Sequence, residues 1–570
     1  KGKKGKKGGD EEEEEPAPRH SALVDPTVYS RWSRVKVMTQ IFWEETLFLL
    51  NHLNEQQMVE FVLRSCSTPE ALAWLWPFKS LRSRYLKRCC ALWSTSPSHS
   101  VRLLAFLLIR NSAAMVLHAP EGGMSAKDAG QLEVLMKNVL RTFADTAAGG
   151  YSWRALSTFR FMENCTMELF TLEDSTTYRV GYVWVRQLAL ILRNACIATS
   201  QGGDAAKAGS SEKGKKKGVV QKQAQSLVSW PFVRSLYLWT KAVGTCKALR
   251  PLSYPLAMIT MGAVKSKLTN LQHFPFVFHC LQCLNKMASS TEVFVPVASY
   301  ILKALSVLLT AMDKAHKSGR GKQQQQQDKK EKGFGGTRAP DVEVILRFSE
   351  AQLAEVLTLE TMGSHLCFLL IDHLGLLSQS PAFPEVSALV LLHLRKYGKH
   401  CRSEPLRRQM KSIVEKAEAS ADDIRARRDV LAEAPSVKKF LVFEPDSALA
   451  KARTEALRRR MAEEKGRVEA EMLQASKEKE ARKSSKGKPG KGDPRNIDQE
   501  EEEEEKGEAA VGEGTSKNAL KRKKKREKAE AEKEKEAVED RKRRKGIVKL
   551  PKGDKDMVQD MGFGSEESDE

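Results

Sequence analysis

The most suggestive chemistry in the sequence is the run His-Cys-Leu-Gln-Cys, which brings His279, Cys280 and Cys283 together. An imidazole and two thiolates at this spacing are part of a tetrahedral zinc site, which normally takes four ligands. No second Cys-x-x-Cys or His-x-x-x-His pair follows at finger distance. On a helix, Cys280 and Cys283 share a face with Phe276 and Met287, so core packing is the expected role. Residues 209–215, Gly-Ser-Ser-Glu-Lys-Gly-Lys, have the spacing of a phosphate-binding loop. Lys216 stands where that loop needs Ser or Thr for magnesium, and no strand–loop–helix context surrounds it. Gly-x-Ser-x-Gly, His-Glu-x-x-His and acidic calcium-loop patterns are absent, and no spacing nominates an acid–base pair. No catalytic, metal or cofactor site is expected, and the chain reads as a non-enzyme.

Two other groups of residues could act on a partner. Trp43, Trp74, Trp76, Trp93, Trp184, Trp230 and Trp239 could stack on bases, but they fall on apolar helical stripes and are expected in the core. The second group lies near the C-terminus: Lys521, Arg522, Lys523, Lys524, Lys525 and Arg526, then Arg541, Lys542, Arg543, Arg544 and Lys545. Such clusters serve as nuclear-import signals, as phosphate-binding arms, or as both. Ser565 and Ser568 sit among acids in the closing Gly-Ser-Glu-Glu-Ser-Asp-Glu, a context that favours acidophilic phosphorylation.

The elements around these residues are helices. Net charge is +22, which favours an acidic partner such as nucleic acid, and the Lys and Arg crowd the two ends and two insertions. Between them the sequence is Leu-rich and long enough for a large core. A stripe of Met38, Ile41, Phe42, Leu49, Leu50 and Leu53 predicts one amphipathic helix, and Leu132, Leu135, Val139 and Phe143 predict another. Residues 100–111 are apolar nearly all round, predicting a helix covered on both sides. Val-Phe-Val-Pro-Val at 293–297 is the nearest approach to a strand, yet Pro296 makes it a helix-to-helix connection.

The expected fold is therefore all-α, a HEAT/armadillo-like helical-repeat solenoid with disordered charged insertions and tail. The expected domains are a charged N-terminal segment (1–26), a helical-repeat domain (27–445) interrupted at 199–224 and 313–340, a solvated charged helix (446–490) with a thin stripe of Leu457, Met461, Val468 and Met472, and a basic/acidic tail (491–570). No apolar run approaches a membrane span, the first residues lack the apolar core of a secretory signal, and the 10 scattered cysteines suit reduced thiols in cytosol or nucleus.

Several apolar segments carry a resemblance beyond their periodicity. Residues 164–195, 229–243, 251–265 and 274–305 follow one another in an order that resembles the nucleolar complex protein 2 family. Residues 383–400, 414–431 and 437–441 resemble that family's C-terminal helices. The resemblance implies a non-enzymatic assembly factor for the large (60S) ribosomal subunit, located in nucleolus, nucleus and nucleoplasm. It also implies pairing with nucleolar complex protein 1 or 3 on pre-60S particles that carry pre-ribosomal RNA, with no membrane partner. A chromatin- or histone-binding regulator is the rival reading, because Glu11–Glu15 and Glu500–Glu505 are acidic runs.

Overall fold

Local signals set the helix boundaries. Thr68 caps a helix that starts at Pro69, its hydroxyl accepting from the Ala71 amide at 3.3 Å. Ser152 caps another in the same way, accepting from Ala155 at 3.3 Å. Pro275 and Pro384 lie in the first turns of two further helices, where a missing N–H costs nothing. Arg88 closes the end of the first long helix by donating from two nitrogens to the Leu50 carbonyl, at 3.0 and 2.7 Å.

The computed structural model describes residues 26–117, 129–204, 225–317, 341–431 and 447–486, and none of these residues forms a β-ladder. Its helices are α1 (Trp32–His52), α2 (Gln56–Cys66), α3 (Pro69–Leu75), α4 (Lys79–Thr95), α5 (His99–Leu117), α6 (Ala129–Ala148), α7 (Trp153–Phe170) and α8 (Asp174–Asp204). They continue with α9 (Trp230–Thr245), α10 (Ser253–Lys267), α11 (Phe274–Thr291), α12 (Ala298–Lys317), α13 (Glu350–Ala354), α14 (Val356–Leu377), α15 (Phe383–His400), α16 (Glu404–Leu431) and α17 (Ala448–Lys486). Helices α8 and α12 thus run into the first residues of the two charged insertions.

Helices α4, α6, α9, α11, α14 and α16 pack side by side in one row, and α5, α8, α10, α12 and α15 cover them as a second layer. This is an all-α solenoid of stacked helices. The predicted stripe of α6 is its core face: Leu132, Leu135, Val139 and Phe143 are all buried. Pro296 separates α11 from α12, and the chain leaves α11 through Glu292 in the left-handed region at φ 58°. Helix α5 is long and apolar enough to cross a membrane by composition. It instead packs against α2, α4 and α6, and Arg102 within it donates to the Ser96 carbonyl at 2.6 Å.

Two expectations need correcting. Most of the stripe read on α1 does not face the core: Met38, Ile41, Phe42 and Leu49 are exposed, Leu53 is half-buried and only Leu50 is buried, beside Trp43, Thr46 and Leu47, which the stripe left out. Period alone cannot say which of two apolar faces meets the body, and the Trp43 ring, edge-on to Tyr85 at 5.3 Å, decides it. Nor is the helix after residue 446 merely solvated. The chain divides into two compact units, one ending at Met472 and one beginning at Leu473, and the α17 residues of the first unit lie against its body.

Candidate functional site: a polar cavity under a charged helix

Of the residues singled out by type and spacing, Cys280 and Cys283 are fully buried in α11. Burial pushes their thiols up, that of Cys283 to about 12, so neither is a ready thiolate. Among the described residues no group of His, Cys, Asp and Glu is placed to hold a metal ion. Trp43, Trp76, Trp93, Trp184 and Trp239 are core residues, whereas Trp74 is exposed beside Tyr29 and Trp32. The loop-like run at 209–215, the clusters at 521–526 and 541–545, and Ser565 and Ser568 lie outside the described residues.

The structure draws attention to α17. Ser447 caps it, accepting from Ala450 at 3.1 Å, and its hydroxyl donates to Ser378 at 3.0 Å. Leu449 is buried completely, and from there the helix is held mainly by charge. Arg453, Arg460 and Arg467 recur every two turns and so share one face. Arg453 pairs with Asp372 at 2.9 Å, Arg460 with Glu343, and Arg467 with Asp341 at 2.5 Å. Glu464 pairs with Arg160 of α7, and Glu471 accepts from the Arg154 amide at 3.2 Å. Helix α14 offers Gly375 where α17 crosses; a Cβ there would stand 2.6 Å from the Arg453 Cβ.

Beneath this seam lies a cavity of about 700 Å³, walled by α7, α9, α11 and α14 and roofed by Arg453, Leu457, Arg460 and Met461. Its centre is a buried ion pair between Glu163 of α7 and Arg234 of α9. The Arg234 guanidinium also faces the rings of Phe159 at 4.8 Å, Tyr237 at 5.2 Å and Tyr151 at 5.3 Å. Tyr237 donates to Gln282 Oε1 at 2.5 Å, which leaves its oxygen to accept from His279 Nδ1 at 3.0 Å. Burial first, and then the charges of His365, Arg234 and Arg460, hold His279 down to about 3, so its imidazole is neutral. Lys286 of α11 opens into the cavity, its amine 4.8 Å from the Tyr237 ring. Burial lowers its pKa too, with Cys283 and Glu163 opposing that shift.

This cavity was not legible as a motif. Its residues come from five helices and two connecting segments and recur at no short spacing; His279 and Trp230 stand out in the sequence for other chemistries, and Leu457 and Met461 only as an apolar stripe. The heptad of arginines was visible in the sequence, but its carboxylate partners stand at sequence separations of 81 for Asp372 and 117 for Glu343.

Comparison with known proteins places this architecture. Residues 130–452, more than half of the chain, match the Noc2p family. The chain belongs to the Noc2p family. The match opens in α6 and stops just before Arg453, so the Noc2p-family segment contains the cavity walls and excludes the roof. Nucleolar complex protein 2 of Drosophila melanogaster is 26% identical over 408 residues, which is 70% of this chain and 46% of that protein. Nucleolar complex-associated protein 2 of Arabidopsis thaliana is 25% identical over 414 residues, 72% of this chain and 47% of that protein. A second Arabidopsis thaliana protein, REBELOTE, is 20% identical over 430 residues, 73% of this chain and 62% of its own length. The chain thus spans about half the length of its first two Noc2p-family relatives.

Proposed function

We propose that this protein is a non-enzymatic scaffold in ribosome biogenesis, acting in the nucleolus and nucleoplasm on precursors of the large (60S) subunit. The observation that carries the reading is membership of the Noc2p family together with relatives that are named as nucleolar complex proteins. A long two-layered helical body suits the role, because stacked helices offer extended surfaces to other proteins. In this reading the helical body, of HEAT-like character, pairs with a second nucleolar helical-repeat protein, nucleolar complex protein 1 or 3. The basic clusters at 521–526 and 541–545 bind pre-ribosomal RNA through its phosphates and direct nuclear import. Phosphorylation of Ser565 and Ser568, each adding about −1.5 to −2 charges, opposes that RNA contact. The charged segments before residue 27, within 199–224 and 313–340, and beyond residue 490 serve as arms around the helical domain.

The test is a gentle affinity purification from nuclear extract, with sizing of the complex and sequencing of its RNA. Large particles with precursor rRNA of the large subunit and a stoichiometric helical partner are expected. A small complex rich in histones and free of RNA would overturn the reading in favour of a chromatin role.

A further inference from the structure

The outer face of the second layer carries positive charge that its own elements do not answer. Residues 175–203 and 213–291 contain no Asp or Glu, in a chain that has 73. They build most of α8, the 3-10 turn Lys247–Leu252 and all of α10. These elements lie side by side: a Cβ at Gly181 would stand 2.8 Å from Leu249, and one at Gly262 would stand 2.8 Å from Leu192. Helix α8 exposes Arg186 and Arg193, the turn exposes Lys247 and Arg250, and α10 exposes Lys265. Past the end of α10, the Phe348 amide donates to the Gln272 carbonyl at 2.8 Å, which seats exposed Arg347 beside half-buried Lys267 and His273. Burial first, and then the Arg347 charge, lower the pKa of Lys267. Burial, Arg347 and Lys267 together hold His273 down to about 4.

Elsewhere on the body, exposed arginines meet carboxylates. On α15 and α16, Arg395 pairs with Glu418, Arg408 with Glu404 at 3.0 Å, Arg425 with Asp422 at 2.6 Å and Arg428 with Glu385 at 2.6 Å. On the α8–α10 face, Arg179 at the edge reaches Glu133 at 4.0 Å. Among the described residues no ion pair meets any of the other cations of that face.

A second, independent observation is aromatic. Tyr182 and Tyr254 are 53% and 73% exposed, and Tyr178 is exposed as well. Tyr178, Tyr182, Arg186 and Arg193 recur at whole turns and so share one side of α8; Tyr254, Met258 and Lys265 share one side of α10 in the same way. Unpaired cations and exposed rings on one face are the two halves of single-strand recognition, the first for phosphates and the second for unstacked bases. An acidic peptide would take the cations and leave the rings unused, and a duplex hides its base faces. From Tyr178 to Arg193 the side is about 22 Å long, the scale of the shortest single-strand sites, about four nucleotides.

We propose that the α8–α10 face binds single-stranded RNA, with its cations on the phosphates and Tyr178, Tyr182 and Tyr254 under the bases. The helical body thereby has an RNA contact of its own, separate from the clusters at 521–526 and 541–545. The single-strand chemistry follows from the face, whereas the choice of RNA over DNA rests on the ribosome-biogenesis reading above.

Ultraviolet crosslinking of the full chain to an oligouridylate of about 12 nucleotides, with the crosslinked peptides located by mass spectrometry, tests this. Crosslinks at Tyr178, Tyr182 or Tyr254 are expected. They should persist in a full-length variant whose basic clusters at 521–526 and 541–545 are changed to Gln. In that background, Arg186→Gln with Arg193→Gln should weaken binding about tenfold or more and reduce the log–log salt slope by about 1.4, at about 0.7 for each lost phosphate contact. Tyr182→Ala with Tyr254→Ala should weaken binding about tenfold at an unchanged slope, as lost stacking does and lost charge does not. Arg408→Gln with Arg425→Gln removes as much positive charge where carboxylates already answer it, and should leave binding within about twofold. Melting curves followed by circular dichroism confirm that each variant is folded. Crosslinks confined to the tail, or an Arg186 and Arg193 variant that binds like the α16 control, overturn the proposal and leave the proposed function standing. Equal binding of an RNA duplex or of an acidic peptide, with the tyrosine variant unaffected, overturns it too. A preference for an oligodeoxythymidylate of the same length overturns the assignment to RNA together with the reading on which it rests.

Discussion

If charge holds α17 down, Arg460→Ala should release it. Arg460 pairs with Glu343 at side-chain exposures of 22% and 19%, between the surface and buried extremes. Its NH2 lies 3.2 Å from His365 Nδ1, and its guanidinium lies 4.4 Å from the Phe368 ring. Exposed pairs contribute about 0–1 kcal/mol, while stranding one partner of a buried pair costs about 3–5 kcal/mol. An intermediate value near 2 kcal/mol is apt here, and the ring contact adds about 0.5–1 kcal/mol. A loss of about 2.5–3 kcal/mol raises the opening equilibrium of the docked segment roughly 70- to 150-fold. Hydrogen exchange read by mass spectrometry on peptides within 448–472 measures this directly, since an undocked helix of this composition is only marginally protected. Arg459→Ala is the control: Arg459 is 69% exposed and its one ion pair among the described residues is with Glu455 in its own helix, so its loss should cost a few tenths of a kcal/mol. Arg460→Ala combined with Glu343→Ala should cost less than the sum of the two single changes. Raising salt from about 0.1 M to 1 M shortens the Debye length from about 10 Å to 3 Å and should speed exchange in the wild type. Equal exchange in Arg460→Ala and Arg459→Ala would refute the ionic account of α17.

Other expectations follow from the same geometry. Gly→Ala inside a helix ordinarily gains up to about 1 kcal/mol, but Gly375→Ala should destabilise α17 docking, because the new methyl meets the Arg453 side chain; the sign of the change in exchange at 448–472 decides. Thiol titration of the native chain should give one fast-reacting group, Cys196, since the other nine cysteines are buried, and denaturation should give 10. Buried His279 and His365 are held to about 3 and His373 to about 4, mainly by burial, so the unfolded chain binds protons first below about pH 6.5. Their stability contribution is complete above that pH and falls as pH drops towards 4, by about 1.4 kcal/mol per unit for each histidine, and His373→Gln should lessen the slope of urea stability against pH. Deleting residues 515–570 should flatten the salt dependence of RNA binding, which for about six neutralised phosphates on a single strand has a log–log slope of roughly −4.

What the sequence made legible depends on the kind of force involved. Apolar packing leaves a period, so α6 could be read from Leu132, Leu135, Val139 and Phe143, and the break at Pro296 from proline's missing donor. On α1 that signal was ambiguous, because the helix carries apolar residues on two faces and only the docking of Trp43 on Tyr85 chooses between them. Helix α17 defeats the method altogether. Its docked face is written in arginines, which a hydrophobic pattern assigns to solvent, and the carboxylates that answer them lie on distant parts of the chain. The cavity is hidden for a related reason: Lys286 follows a run of core residues in α11 and reads as the outward-pointing end of that helix. Lys286 comes to line one cavity with Lys241 of α9 only because α9 packs against α11, and no ion pair among the described residues meets either lysine. The Noc2p-family match covers the wall that carries Lys241 and Lys286 and stops before Arg453. Wall and roof are therefore separable in principle: changes in the α17 arginines can alter how the cavity closes while the lysines that give it its charge stay in place.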